Sequence, residues 1–182
     1  MAKITNIRSI RTRSTGTWVI VKVETDQPGL YCIGSASDHY RAKTVMAAVE
    51  QIAPLLIGRE AGHIEDNWQS VYTSSYWRNG SIENNALAAI DMALWDIKGK
   101  EAGMPVYQLL GGPVRAAVPC YAHASGDTLQ ELEDDVRRYH EEGYPVIRCQ
   151  LGPYGGGGFL PAEQAKRPKN AWPKKSAFDD EA

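Results

Sequence analysis

Two periodicities divide the chain. Between Trp18 and Thr25 the run WVIVKVET sets Val19, Val21 and Val23 against Ile20, Lys22 and Glu24, the period of two that marks a half-buried strand. Residues 4–13 read as an extended segment before it, joined by Ser14-Thr15-Gly16, which is turn chemistry. Gln27-Pro28-Gly29-Leu30 then has Pro and Gly where a type II turn wants them, and leads into LYCIGSA. The first third is therefore predicted to be a three-stranded antiparallel meander.

The middle third has the helical period. Val45, Met46, Val49 and Ile52 share one face, and Pro54 is expected to end that helix. Trp68, Val71, Tyr72 and Tyr76 mark a second helix. The strongest signal is the third, where Leu87, Ile90, Leu94 and Ile97 follow one another at spacings of three and four. Ser81 is expected to cap its start and Glu83 favours its first turn, while Lys98 and Lys100 suit the negative end of its dipole. Gly103 and Pro105 close it, and VYQLLGG reads as one more short turn of helix.

After Gly112 the pattern becomes strand, helix, strand. AVPCYAH is a short apolar strand, and Thr128-Leu129-Gln130-Glu131 is a capping box. Leu129, Leu132, Val136 and Tyr139 form the expected buried stripe, Gly143 suits a left-handed stop, and PVIRCQL is the next strand. Such a βαβ unit implies parallel strands joined by a right-handed crossover. One unit alone leaves most strand edges and one sheet face uncovered. The last stretch, PAEQAKRPKNAWPKKSAFDDEA, has three prolines, mixed charge and no period, so it reads as a loop or disordered tail.

Composition narrows the class. With 182 residues, a net charge of −2, 43% hydrophobic and 23% charged residues, the chain has an ordinary globular make-up. Charge is balanced along it, which excludes the basic face of a nucleic-acid binder. No apolar run approaches the ~20 residues of a membrane span, and MAKITNIRSIRTRS lacks the apolar core of a signal peptide. No membrane partner and a cytoplasmic location are the expectations. Cys32, Cys120 and Cys149 are odd in number and lie in apolar runs far apart in sequence, which suits buried, reduced thiols.

The candidate chemistry sits in PVIRCQLGPYGGGGF, residues 145–159. A phosphate-binding loop needs Lys and Ser or Thr after its last glycine, whereas Phe159 and Leu160 follow here. The dinucleotide fingerprint fails too, because Pro161 stands where its third glycine is needed. Read as a strand end, alternation puts Ile147, Cys149 and Leu151 on one face and Val146, Arg148 and Gln150 on the other. A guanidinium inside a sheet costs on the order of several kcal/mol unless partners wait for it. In a (β/α)₈ barrel such groups belong at the carboxyl end of a strand, facing substrate. An Arg paired with a core carboxylate is the plainer alternative.

AAIDMALWDIKGKEAGMPVYQLLGG (88–112), preceded by SYWRNG (75–80), resembles the capping-domain helix and linker of the mandelate racemase/muconate lactonising group of the enolase superfamily. The wider pattern is most similar to its mannonate dehydratase branch, over about residues 3–160. The resemblance implies an α+β capping domain, a three-stranded antiparallel meander plus a helical bundle, over 1–112. The first βαβ of a truncated, modified TIM barrel would follow over 113–160, then the loop or tail over 161–182. It also implies Mg²⁺, abstraction of the proton α to the carboxylate of a sugar acid, and a homo-oligomer for which Trp68, Tyr72, Tyr76 and Trp77 are candidate contacts.

The same resemblance assigns residues. Arg148-Cys149-Gln150 stands where many members have Lys-x-Lys at the end of the second barrel strand, and the mannonate dehydratase-like proteins share the Arg-x-Gln form. Tyr154 matches their loop tyrosine as the base. A phenol of pKa about 10 is a poor base at neutral pH, but a nearby guanidinium favours the phenolate; Arg148 would be that partner. His123 matches a substrate-contacting histidine, Gln150 joins it, and Asp38 and His39 stand in the mobile loop where the family has an Asn. A satisfied core histidine and an ordinary polar loop are the plainer readings of these. The family's three magnesium carboxylates lie on later barrel strands, so the metal ligands are expected beyond Ala182, and Asp91 and Asp96 of the long helix are expected to be structural or solvated.

The implied reaction is dehydration of an aldonate: loss of the C2 proton and the 3-hydroxyl to give a 2-keto-3-deoxy acid. This chain would be an incomplete portion of that hydro-lyase and inactive alone. A racemase or cycloisomerase of the same superfamily is the enzymatic alternative, and a non-catalytic regulatory or binding homologue the other.

Overall fold

A computed structural model describes residues 2–12, 17–38 and 41–151. The expected turn at 14–16, His39, Tyr154, the glycines at 155–158 and the tail lie outside the described residues. The chain divides into two compact units after Val114.

In the first unit the alternating run becomes the central strand. β1 (Ile4–Thr12), β2 (Trp18–Thr25) and β3 (Tyr31–Ser35) pair antiparallel in the order β1-β2-β3. Val19, Val21 and Val23 are fully buried on one face of the sheet. The link from β2 to β3 is the expected type II turn: the Leu30 amide donates to the Gln27 carbonyl at 3.1 Å, and Gly29 takes φ 77°.

Helices cover the apolar face: α1 (Ala42–Leu56), α2 (Ile64–Thr73), α3 (Ser81–Ala102) and the short α4 (Val106–Leu109). Val45 and Val49 of α1 and Leu87, Ile90, Leu94 and Ile97 of α3 join the sheet valines and Cys32 in one core. Contact between α3 and β3 is so close that a Cβ added at Gly34, the register partner of Val21, would overlap the Ala89 carbonyl. Only hydrogen fits there. Where α1 and α2 meet, the buried Asn67 donates from Nδ2 to the Glu60 carbonyl at 2.9 Å and accepts from Arg59 Nε at 2.7 Å. The end of α3 is a Schellman stop: Gly103, at φ 64°, donates to the Lys100 carbonyl, and Met104 donates to that of Gly99.

Several expectations are corrected. Pro54 lies inside α1, not at its end, because the fixed φ of proline is itself helical and the chain leaves the helix only at Ile57, ψ 132°. Gly80, not Ser81, is the N-cap of α3, since its carbonyl accepts the first turn's bond from Asn84. Tyr76 falls outside α2, which stops at Thr73, and is 87% exposed. Of the four aromatics considered as contacts, Trp68 and Tyr72 stack with centroids 4.7 Å apart against the core, while Tyr76 and Trp77 are exposed. Cys32 is buried, and its thiol is pushed up to about 11, first by burial and then by Asp96. Cys120 and Cys149 are free but exposed, because neither lies in a fully covered layer.

The second unit contains β4 (Ala122–Gly126), α5 (Leu129–Glu141) and β5 (Ile147–Leu151), with β4 and β5 parallel. β4 starts later than AVPCYAH suggested. Pro119 has no amide to give, and pairing begins where the Ala122 amide reaches the Val146 carbonyl at 3.0 Å. The stripe on α5 is not buried either: Leu129 is exposed and Leu132, Val136 and Tyr139 are half-buried, since two narrow strands offer the helix little to cover.

Two tests follow from this packing. Gly34→Ala drives a methyl into α3 backbone and is expected to lower stability by on the order of 3 kcal/mol, read as a fall in Tm of roughly 10 °C. Asp91, on the face of α3 toward Leu56 and Trp68, has its carboxyl held above the ordinary value of 3.8 by burial and then by Glu65. The folded chain therefore holds this proton more tightly than the unfolded chain, and stability falls as pH rises from 3.8 through the raised value. Asp91→Asn is expected to raise Tm at pH 7, with the gain vanishing below pH 3.8.

Candidate functional site

The second unit is built to hold strand ends still. Thr128 Oγ1 accepts from the Glu131 amide at 3.2 Å, and Glu131 Oε2 accepts from the amides of Thr128 and Asp127 at 3.2 and 2.9 Å, completing the expected capping box. At the other end Gly143, φ 90°, donates to the His140 carbonyl and Tyr144 to that of Tyr139. The rings of Tyr139 and Tyr144 meet edge to face at 5.5 Å, the apolar contact that accompanies a Schellman stop.

Register then decides which side chains meet. Ala122 pairs with Ile147, His123 with Arg148, Ala124 with Cys149, Ser125 with Gln150 and Gly126 with Leu151. Partners in such a ladder point to the same side of the sheet. The side of Ala122, Ala124 and Gly126 is that of α5: the alanines are buried, Cys149 lines a groove with Leu132 and Val136, and a Cβ on Gly126 would lie 2.8 Å from the Glu131 carbonyl carbon. His123, Ser125, Arg148 and Gln150 therefore share the opposite side, in two rows. His123 beside Arg148 forms one row, and Ser125 beside Gln150 the row nearer the strand ends.

Three of the expected residues thus come together. His123 and Gln150 are half-buried and Arg148 is exposed. Asp38 belongs to the first unit, where its Oδ1 accepts from the Arg41 amide at 2.8 Å and so shapes the entry to α1. Asp96 pairs with Lys100 at 3.3 Å on the surface of α3.

Two residues of the second unit carried no expectation. Ser125 follows at once from His123 by the period of two. Asp135 has no local signal: from α5 its Oδ2 accepts from the Ser125 amide at 3.0 Å, while Arg138 Nη2 holds its Oδ1 at 2.6 Å. The Ser125 amide and then Arg138 hold the Asp135 carboxyl below the usual range.

Among the described residues no three His, Cys, Asp or Glu side chains converge as a metal ion requires, so these residues alone do not make a magnesium site. A separate cavity of about 330 Å³ in the first unit, between α1, α2 and the start of α3, is lined by Ile52, Tyr72, Trp77 and Arg78 and by none of the expected site residues. No described helix is long and apolar enough to cross a membrane.

Comparison with known proteins bears on what this face is for. The family described as mandelate racemase / muconate lactonizing enzyme, N-terminal domain, matches residues 3–111. A D-galactonate dehydratase family member of Paenibacillus sp. (strain JDR-2) is 60% identical, over all of this chain and 45% of its own length. Another, from Musicola paradisiaca (strain Ech703), is 52% identical over 96% of this chain and 43% of its own length. The chain thus spans about half the length of the curated relatives it matches, and the match crosses the boundary between the two units. Among solved structures, an enolase from Pantoea ananatis with bound D-gluconate and Mg superposes with a TM-score of 0.82 at 51% identity, covering 88% of this chain and 39% of that one. A putative dehydratase from Mesorhizobium loti superposes at 0.75 with 34% identity, covering 80% and 41%.

The capping box that orients the polar face is directly testable. Thr128→Ala is expected to destabilise α5 by about 1 kcal/mol, which hydrogen exchange would read as a roughly fivefold loss of protection in the first turns of α5 with α3 unchanged.

Proposed function

The chain belongs to the mandelate racemase/muconate lactonizing enzyme family of the enolase superfamily, and from that premise we propose that it is the N-terminal part of an acid-sugar dehydratase. Its first unit is the capping domain, and its second is the opening βαβ of the barrel that carries the reaction. The observation that carries this reading is the register that sets His123 beside Arg148, with Gln150 one row nearer the strand ends.

The substrate class rests on the relatives. Several bear the name D-galactonate dehydratase family member, and the Pantoea structure has D-gluconate and Mg bound. Both acids are six-carbon aldonates, so an aldonate is the substrate this reading names. The relatives' names do not single out the mannonate branch, which remains one candidate specificity among aldonates.

The residues of this chain divide the work as follows. Tyr154 takes the C2 proton as its phenolate. Arg148 stabilises that phenolate through its guanidinium, as an opposite charge within a few ångströms does. The electron pair left at C2 forms the C2–C3 double bond and expels the 3-hydroxyl, which with the proton removed from C2 makes up the one water lost overall. The enol formed tautomerises to the 2-keto-3-deoxy acid. His123 and Gln150 hold the substrate by hydrogen bonds, with Asp38 and His39 as further contacts from the loop after β3. The magnesium ion of this chemistry is assigned to carboxylates outside the described residues.

The full-length protein with Mg²⁺ is expected to convert at least one of D-gluconate, D-galactonate and D-mannonate to a 2-keto-3-deoxy acid. Tyr154→Phe should lower kcat by about 100-fold or more. Arg148→Met should move the rising limb of the pH–rate profile to higher pH, because the phenol loses the charge that made it acidic. Turnover of none of these acids, or full turnover by Tyr154→Phe, would overturn the reading.

A further inference from the structure

The polar side of the β4–β5 pair carries one group that the proposed reaction does not use. Ser125 is exposed, is the register partner of Gln150, and lies one residue from the end of β4. Resting on the aldonate reading above, we infer that Ser125 is a specificity-determining residue that reads a hydroxyl beyond C3 of the acid together with Gln150, and that Asp135 is the positioning residue that fixes it.

The geometry separates two tasks. Cross-strand partners stand about 5 Å apart, and residues two apart along a strand about 6.6 Å. The His123–Arg148 row and the Ser125–Gln150 row thus face different parts of an extended polyol chain. The first row holds the guanidinium and imidazole, suited to the reacting end. The second holds a hydroxyl and a carboxamide, each able to donate and to accept. A sugar hydroxyl also does both, so two such neighbours can meet one hydroxyl from two sides. Neither can be served by an apolar substitute without leaving a polar group unpaired.

A serine near a strand end is useful for recognition only if its backbone is held. Asp135 supplies that hold from α5 through its bond to the Ser125 amide. Arg138 in turn clamps Asp135 with Nε at 3.1 Å and Nη2 at 2.6 Å, and its Nη1 reaches Glu142 Oε1 at 2.8 Å. The next residue tightens the same point: a Cβ on Gly126 would meet Glu131 atoms at 2.8 and 2.9 Å, so the start of α5 is pressed against the end of β4. The Ser125 hydroxyl is therefore carried on backbone anchored to a helix.

The test compares two ligands in the full-length protein. D-gluconate has hydroxyls beyond C3, and D-glycerate, used as a competitive inhibitor, has none. Ser125→Ala is expected to raise KM for D-gluconate about tenfold with kcat within about twofold, and to leave the glycerate Ki unchanged. Ser125→Thr, which keeps the hydroxyl, should restore most of the loss. Asp135→Asn should raise KM in the same ligand-selective way and shift the Ser125 amide resonance upfield in ¹⁵N–¹H spectra. Equal weakening of both ligands by Ser125→Ala, or none, overturns the role of Ser125. A shifted resonance with unchanged KM in Asp135→Asn overturns the role of Asp135. If wild-type protein turns over no aldonate, the dehydratase reading falls and takes this one with it; if it does and Ser125→Ala matches it, this one falls alone.

Discussion

A strand shows its side chains to two sides in turn, and a single crossover helix can cover only one of them. In the second unit that constraint fixes which side chains share a face. α5 covers Ala122 and Ala124 and presses on Gly126, all small, so the helix comes close to the strands. The residues between and beside them, His123, Ser125, Arg148 and Gln150, are thereby committed to the other side as a block. A slip of one residue in register would exchange the two sets and put the guanidinium under α5. The capping box and the Schellman stop at the ends of α5 guard against that slip, because they set where the helix starts and where the chain turns back toward β5.

Such a face is unusual for a parallel pair. Parallel strands are ordinarily covered on both sides by apolar material and read as continuous hydrophobic runs. PVIRCQL and AHASG do not: each alternates between apolar or small residues and polar ones. Burying these polar groups against hydrocarbon would cost on the order of several kcal/mol for each one left without partners. The aldonate proposed above offers a hydrogen-bonding atom on almost every carbon. Such an acid and such a face are matched in kind, which supports the proposal without depending on any one residue's role.

Much of this was legible in the sequence, for identifiable reasons. The meander, the burial of Leu87, Ile90, Leu94 and Ile97, and the capping box all depend on periodicity or on contacts within four residues, which a sequence states directly. The same alternation told which side of β5 bears Arg148 and Gln150. Failures came where a boundary turns on a single residue or where a contact distant in sequence decides. Ser81 lost the cap of α3 to Gly80 by one residue, because the Asn84 amide bonds to the Gly80 carbonyl. The stripe on α5 stayed half-exposed because burial depends on how wide the partner surface is, which periodicity does not report. Asp135 was invisible since nothing near it in sequence says that its carboxylate closes on an amide ten residues back.

The two units place chemistry and stability differently. In the first, the decisive contact is backbone on backbone: Gly34 lets α3 lie on β3, and the core behind it is aliphatic. Some of its charged groups pair with one another, as Lys100 does with Asp96 and Lys22 with Glu24, pairs worth little each. In the second unit little apolar surface is buried, and the organising bonds are polar and local to the strand ends. A unit held in this way can carry a constellation of ionisable and hydroxyl groups without competing with a hydrophobic core for the same side of the sheet. That division gives a physical reason why the proposed reading puts His123, Arg148 and Gln150, the larger share of its described contacts, on the polar side of β4 and β5.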